Sequence, residues 1–185
     1  AILHLLYSRF FMKAIKQINN EIKCSEPFKN LFTQGMVCHE TYKDLKGNWL
    51  NPIEVEKISE KKAIKKSDKS KVTIGPSESM SKSKKNTVDP ETMIKQYGAD
   101  SVRWFMLSDS PPEKDVQWSE EGIIASFKFI QKLWFMHKKI LEEIDKNHIK
   151  DNSVELIKYT NRFIKKISNN LENFHYNIII ANLHE

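Results

Sequence analysis

Pro111 and Pro112 stand side by side in "SDSPPEKD", residues 108–115, and neither a helix nor an inner strand runs through such a pair. Proline has no N–H to give to either ladder, and its ring clashes with the preceding turn. The pair makes an elbow over 108–118 that divides the chain by pattern. In front of it, β-type and helical segments mix. Behind it, apolar residues recur at helical spacing, which predicts a partial antiparallel helical bundle. The expected fold class is therefore α/β plus all-α.

Residues 2–18 place Ile2, Leu3, Leu6, Phe10, Ala14 and Ile18 at helical spacing, widened by Leu5, Tyr7, Phe11 and Ile15. That pattern predicts a helix buried on more than one side. "CSEPFKNL" reads as a turn and a short helix, and "LFTQGMVCHETYKD" as a β segment around the bend at Gly35. "LKGNWLNP" is turn chemistry. Residues 53–74 are lysine-rich with weak alternation at Ile53, Val55, Ile58, Val72 and Ile74, which predicts a small exposed β excursion. Asp89 as cap, Pro90 in the first turn and Gly98 past the end bracket a short helix. A second runs over about 100–107. Ser119, Glu120 and Glu121 start a long helix whose inner face is Ile123, Phe127, Ile130, Leu133, Trp134 and Leu141. Asn152-Ser153 starts another with Val154, Ile157, Ile164, Ile167 and Leu171 on one face, and a third begins near Tyr176. Trp104, Trp118 and Trp134 are expected in the core.

The formal net charge of +6 suits a polyanionic partner without requiring one. Cys24 and Cys38 form no C-x-x-C pair, so neither a zinc ribbon nor a disulfide framework is indicated. Two free thiols fit a reducing, cytoplasmic setting. His39 beside Cys38 lacks a third ligand, so no metal site is expected. No run of ~18 apolar residues occurs to span a membrane. Both ends cut through patterned segments, so the chain is expected to be an internal fragment.

The stretch "GPSESMSKSKKNTVDP", residues 75–90, holds three lysines and four serines between a Gly-Pro and an Asp-Pro. Lysine ammonium groups are compact charges that suit phosphate, and serines add hydroxyl donors. Such a loop is either a solvated linker or a mobile phosphate clamp. Ten lysines lie between Lys57 and Lys85, so several are simply solvated.

Met80-Ser81-Lys82-Ser83 matches four of the five letters of Lys-Met-Ser-Lys-Ser, a signature of class I aminoacyl-tRNA synthetases. The segment "KKNTVDPETMIKQYGADSVRWFMLSDSPPEKDVQWSEEGI" resembles the stretch downstream of that signature in leucyl-tRNA synthetases. Upstream, "AILHLLYSRFF" and "FTQGMV" resemble the return of such enzymes to the catalytic domain after the editing insertion. One departure is Ser79, which replaces the first lysine of the signature.

The resemblance implies the C-terminal part of a class I Rossmann-type catalytic domain over 1–85, with a small insertion at about 53–74. A connecting segment would come next over 86–118, and a partial helical tRNA- and anticodon-binding domain over 119–185. It implies ATP-dependent activation of leucine to leucyl-adenylate and transfer to tRNA(Leu), with Mg2+ accompanying ATP. Lys82 would be the catalytic residue that stabilises the phosphates. Gln34, Gly35, Met36, Val37, Met80, Ser81 and Ser83 would join it in binding ATP, and His4 would line the leucine pocket. Lys84 and Lys85 would supply some of the charge missing at Ser79. The His-Ile-Gly-His signature does not occur, so the chain is expected to be inactive alone. The alternatives are an isoleucyl- or valyl-type synthetase and a non-catalytic basic RNA-binding module.

Overall fold

The computed structural model describes residues 2–146 and 153–185. It divides into two compact units, Ala1–Thr33 and Gln34–Glu185.

In the first unit, helix α1 (Ile2–Ile18) contains no buried residue, contrary to the expectation of burial on several sides. The rest of this unit, 19–33, forms turns and bends and has too few apolar side chains to cover a 17-residue helix. It offers Pro27, Phe28 and Leu31 to Ile2, Leu5 and Leu6, around a groove of about 390 Å³. Arg9 holds Glu26 through two hydrogen bonds of 2.8 and 2.9 Å. The helix expected within 24–31 is absent. Pro27 has no N–H to contribute and biases Glu26 toward extended backbone.

The second unit opens with a curled sheet. Its strands are β1 (Val37–Lys43), β2 (Trp49–Leu50), β3 (Val55–Ser59), β4 (Lys62–Lys65) and β5 (Lys71–Ser79), in the order β2-β1-β5-β4-β3 and antiparallel throughout. A sixth strand, β6 (Val116–Gln117), joins β1 in parallel, with Val37 opposite Val116. Alternation turns Tyr42, Leu50, Val55, Ala63 and Val72 inward to make one core. The curl brings Lys57 of β3 to Glu40 of β1 at 2.7 Å, although two strands separate them in the sheet order.

Residues 75–79 belong to β5 rather than to a loop. Pro76 is accommodated because the β1–β5 register shifts there: Glu40 faces Ser77 and Thr41 faces Gly75, which leaves Pro76 as the extra residue of a bulge. The Thr41 hydroxyl donates to the Pro76 carbonyl at 3.1 Å.

Helices come next. Asp89 caps α2 (Pro90–Tyr97) by accepting from the Glu91 and Thr92 N–H groups, and Gly98 at φ 82° ends it. A cap of this kind contributes about 1 kcal/mol. Beyond it lie α3 (Ala99–Ser108) and α4 (Glu120–Lys146), the latter begun by Ser119 accepting the Gly122 N–H at 3.1 Å. Phe105, Val116 and Ile123 form the second core, flanked by Met93, Tyr97, Val102, Met106 and Trp118. Gly122 is required there, because a Cβ would lie 2.6 Å from the Phe105 ring. Helix α5 (Val154–Glu172) starts at Ser153, as its pattern predicts, with Asn152 outside the described residues. Helix α6 (Tyr176–His184) buries Ile179 and Ile180 and brings His184 against Phe129 and Trp104.

The inner face expected of α4 is only half realised. Ile123 is fully buried, whereas Leu133, Trp134 and Leu141 are exposed, Trp134 by 68%. Helix α3 has 10 residues and spans about 15 Å, against about 40 Å for the 27 residues of α4, so it covers only the first turns. The apolar face of α5 likewise has no buried residue.

Candidate functional site

The lysine turn of residues 80–86 leaves the end of β5 and returns toward α2. Its root is fixed first by backbone: the Met80 N–H donates to the Val37 carbonyl at 3.0 Å. This bond joins the turn to the start of β1 and so to the 34–37 segment.

That segment is held on its other side by the proline elbow. The Gly35 N–H donates to Pro112 at 2.9 Å, the Met36 N–H to the Asp115 carboxylate at 2.8 Å, and the Val116 N–H to the Met36 carbonyl at 2.9 Å. A Cβ at position 35 would collide with the Lys114 carbonyl and lie 2.7 Å from the Asp115 nitrogen, so only glycine permits this approach. Burial, then the charge and hydrogen bond of Asp115, push the neighbouring Cys38 thiol upward and keep it protonated.

The turn's second anchor is Asn86, whose residue surface is 0% exposed. Its Oδ1 accepts the Ser81 N–H at 2.8 Å. Its Nδ2 donates to the carbonyls of His39 at 3.2 Å, Glu78 at 3.1 Å and Ser79 at 3.5 Å. These partners fix the orientation of the amide, since three carbonyls require a donor and an N–H requires an acceptor. Between the anchors, the Lys84 N–H donates to the Ser81 hydroxyl and the Lys85 N–H to the Lys82 carbonyl, both at 3.3 Å. Lys85 adopts φ 55°, a left-handed conformation that favours glycine.

The three lysines therefore differ. Lys84 forms an ion pair with Glu78. Lys82 and Lys85 are exposed and enter none of the ion pairs among the described residues. An exposed, unpaired ammonium on a short turn can meet an anionic group without first giving up a partner.

The structure thus joins Gln34, Gly35, Met36 and Val37 to Met80, Ser81, Lys82 and Ser83 through one sheet end. His4 lies in the first unit on an exposed part of α1, where its carbonyl accepts the Ser8 hydroxyl at 2.8 Å. Asn86, Glu78 and Asp115 were not singled out by sequence, yet they organise the turn and its neighbour. An Asn closing a Lys-Ser run was the available signal for Asn86, because Asn favours turn-forming side-chain bonds. Nearby, burial acts to raise the Glu40 carboxyl, but hydrogen bonds from Lys57 and Tyr42 outweigh it and hold the carboxyl below its ordinary range. His39 offers Nδ1 to the Glu40 carbonyl at 2.8 Å, and no described cluster of three His, Cys, Asp or Glu could hold a metal.

Residues 69–119, which contain the turn and the elbow, match the family of class I tRNA synthetases (I, L, M and V). Over its whole length the chain is 49% identical to leucine–tRNA ligase of Bartonella quintana (strain Toulouse) and 48% identical to that of Bartonella tribocorum (strain CIP 105476 / IBS 506). It covers 22% and 21% of those two proteins, and so spans about a fifth of the length of the curated relatives it matches. In fold it resembles a solved structure described as the ternary complex of Agrobacterium radiobacter K84 agnB2 LeuRS-tRNA-LeuAMS. The TM-score is 0.67 at 23% identity, covering 98% of this chain and 20% of that one. Along its whole length the chain is thus similar to one portion of leucine–tRNA ligases, and over residues 69–119 to the class I tRNA synthetases.

Proposed function

We propose that this chain supplies the ATP-closing turn of a leucine–tRNA ligase, which activates leucine to leucyl-adenylate and transfers it to tRNA(Leu). The observation that carries this reading is the bond from the Met80 N–H to the Val37 carbonyl. It sets the Gln34–Val37 backbone beside a turn whose Lys82 is exposed and enters none of the ion pairs among the described residues. In this reading the leucine carboxylate attacks the α-phosphate of ATP, and Mg2+ accompanies the triphosphate and leaves with pyrophosphate. Lys82 stabilises the phosphate charge as the transition state forms, and Ser81 and Ser83 offer hydroxyl donors. Met80 and the 34–37 backbone frame the adenosine, and His4 lines the leucine pocket. Leucine is favoured over isoleucine or valine because the two Bartonella relatives are leucine–tRNA ligases.

The same reading assigns residues 1–85 to a Rossmann-type catalytic domain, 86–118 to a connecting segment and 119–185 to a partial tRNA-binding bundle, in a cytoplasmic enzyme. Among the described residues no helix is long and apolar enough to cross a membrane.

The test is leucine-dependent ATP–pyrophosphate exchange by the full-length chain that carries this sequence. Lys82→Ala is expected to lower exchange by about 10²–10³-fold, the range for removing one transition-state charge stabiliser. Wild-type exchange in that variant overturns the role given to Lys82. The isolated 185-residue chain is expected to give no exchange, and measurable exchange would refute that part of the reading.

A further inference from the structure

We infer that Asn86 is a positioning residue for Lys82, acting through the Ser81 backbone rather than by touching nucleotide. The inference rests on the reading of the turn proposed above and adds a residue to it.

Three observations carry it. First, Asn86 is fully buried, and its amide serves partners from both sides of the turn's root. The His39 carbonyl comes from β1, the Glu78 and Ser79 carbonyls from β5, and the Ser81 N–H from the turn itself. Second, Ser81 directly precedes Lys82, and its hydroxyl accepts the Lys84 N–H. Fixing the Ser81 backbone therefore fixes the direction in which Lys82 leaves the root. Third, no side chain among the described residues hydrogen-bonds the Lys82 backbone, whose one bond there is from the Lys85 N–H to its carbonyl; the Asn86 amide reaches it only through Ser81. The register of the lysine is thus inherited from Ser81 and hence from Asn86.

The chemistry of the amide is specific. A carboxylate at 86 could still accept the Ser81 N–H, but it would face three carbonyl oxygens with no donor. That opposition loosens the root without removing any atom from the turn. An alanine leaves the same carbonyls and the Ser81 N–H without their partner, and buried groups in that state are costly.

The experiment is the same exchange assay on the full-length chain, with Lys82→Ala, Asn86→Asp, Asn86→Ala and each Asn86 change combined with Lys82→Ala. Each Asn86 variant is expected to lower exchange at least tenfold, with the KM for ATP affected and the KM for leucine unchanged within twofold. In the Lys82→Ala background the same change is expected to cost less than threefold, because a residue acting through Lys82 has nothing left to position. The positioning role is overturned if the tenfold loss persists in that background, or if both Asn86 variants keep wild-type exchange while Lys82→Ala does not. Wild-type exchange in Lys82→Ala instead removes the reading of the turn and this inference with it. Hydrogen exchange on the wild-type protein gives a readout independent of whether the variants fold. The Ser81 amide is expected to be strongly protected, and an unprotected Ser81 amide overturns the inference.

Discussion

The Ser81 N–H and the Asn86 Oδ1 meet at 2.8 Å, with only Lys82, Ser83, Lys84 and Lys85 between them. This clasp and the Met80–Val37 bond make the root of the turn part of the sheet, while Lys82, Ser83 and Lys85 remain exposed. The consequences concern which charge is free to act and what the fold tolerates around it.

Lys84 is engaged and Lys82 is not, so the two should respond differently to removal of charge. Lys84→Gln is expected to change ATP–pyrophosphate exchange by less than about threefold, while Lys82→Ala lowers it by about two orders of magnitude. The Lys84–Glu78 pair is partly exposed and contributes no more than about 1 kcal/mol, so unfolding should shift little. Equal losses in the two variants would contradict the distinction. Lys84 is also a poor source for the charge missing at Ser79, which leaves Lys85 as the better candidate.

Lys85 sits at φ 55°. A left-handed backbone costs a side-chain-bearing residue roughly 1–2 kcal/mol, and glycine avoids this at an entropic cost of roughly 0.5–1 kcal/mol. Lys85→Gly is therefore expected to be neutral or to stabilise by about 0.5 kcal/mol, and Lys85→Val to destabilise. Urea unfolding midpoints measure both, and the reverse order would rule out this backbone argument.

Gly35 has no room for a Cβ against the Lys114 carbonyl. Gly35→Ala is expected to destabilise by about 1–3 kcal/mol, as overpacking does, and to weaken the pairing of β6 with β1. Denaturant unfolding gives the first quantity. Amide protection at Val116, which donates to the Met36 carbonyl, reports the second.

The Glu40 carboxyl is held below its ordinary value of 4.5 by Lys57 and Tyr42, against the opposing effect of burial. Between its folded and unfolded values the unfolded chain binds more protons, so stability rises with pH there. The contribution is present above about pH 4.5 and is lost as pH falls through the folded value. Glu40→Gln should flatten the acid limb of a melting-temperature profile, and an unchanged acid limb would show that Glu40 does not contribute to it.

Local chemistry was the legible part of this fold. Asp89, Pro90 and Gly98 announce α2 because cap, first turn and exit are all encoded within ten residues. Ser119 and Ser153 announce α4 and α5 for the same reason. The strand over 75–79 was hidden because Pro76 argues against it, and only a register shift opposite Thr41 accommodates the proline. Asn86 was hidden because its acceptor on β1 is the backbone of His39, 47 residues away and without any side-chain signature. Helical spacing at Leu133, Trp134 and Leu141 reports an apolar face but says nothing about what lies over it. The Lys82 turn was readable as chemistry from its letters, whereas the difference between Lys82 and Lys84 required the position of Glu78.

The clasp at Ser81 and Asn86 also sets a length. Lys82 directly follows Ser81, so its Cα lies one Cα–Cα step, about 3.8 Å, from the Cα that the clasp holds. In any closing movement the Lys82 Cα then stays on that radius of about 3.8 Å, extended by the reach of one lysine side chain. A phosphate beyond that radius lies out of range unless the sheet end itself travels.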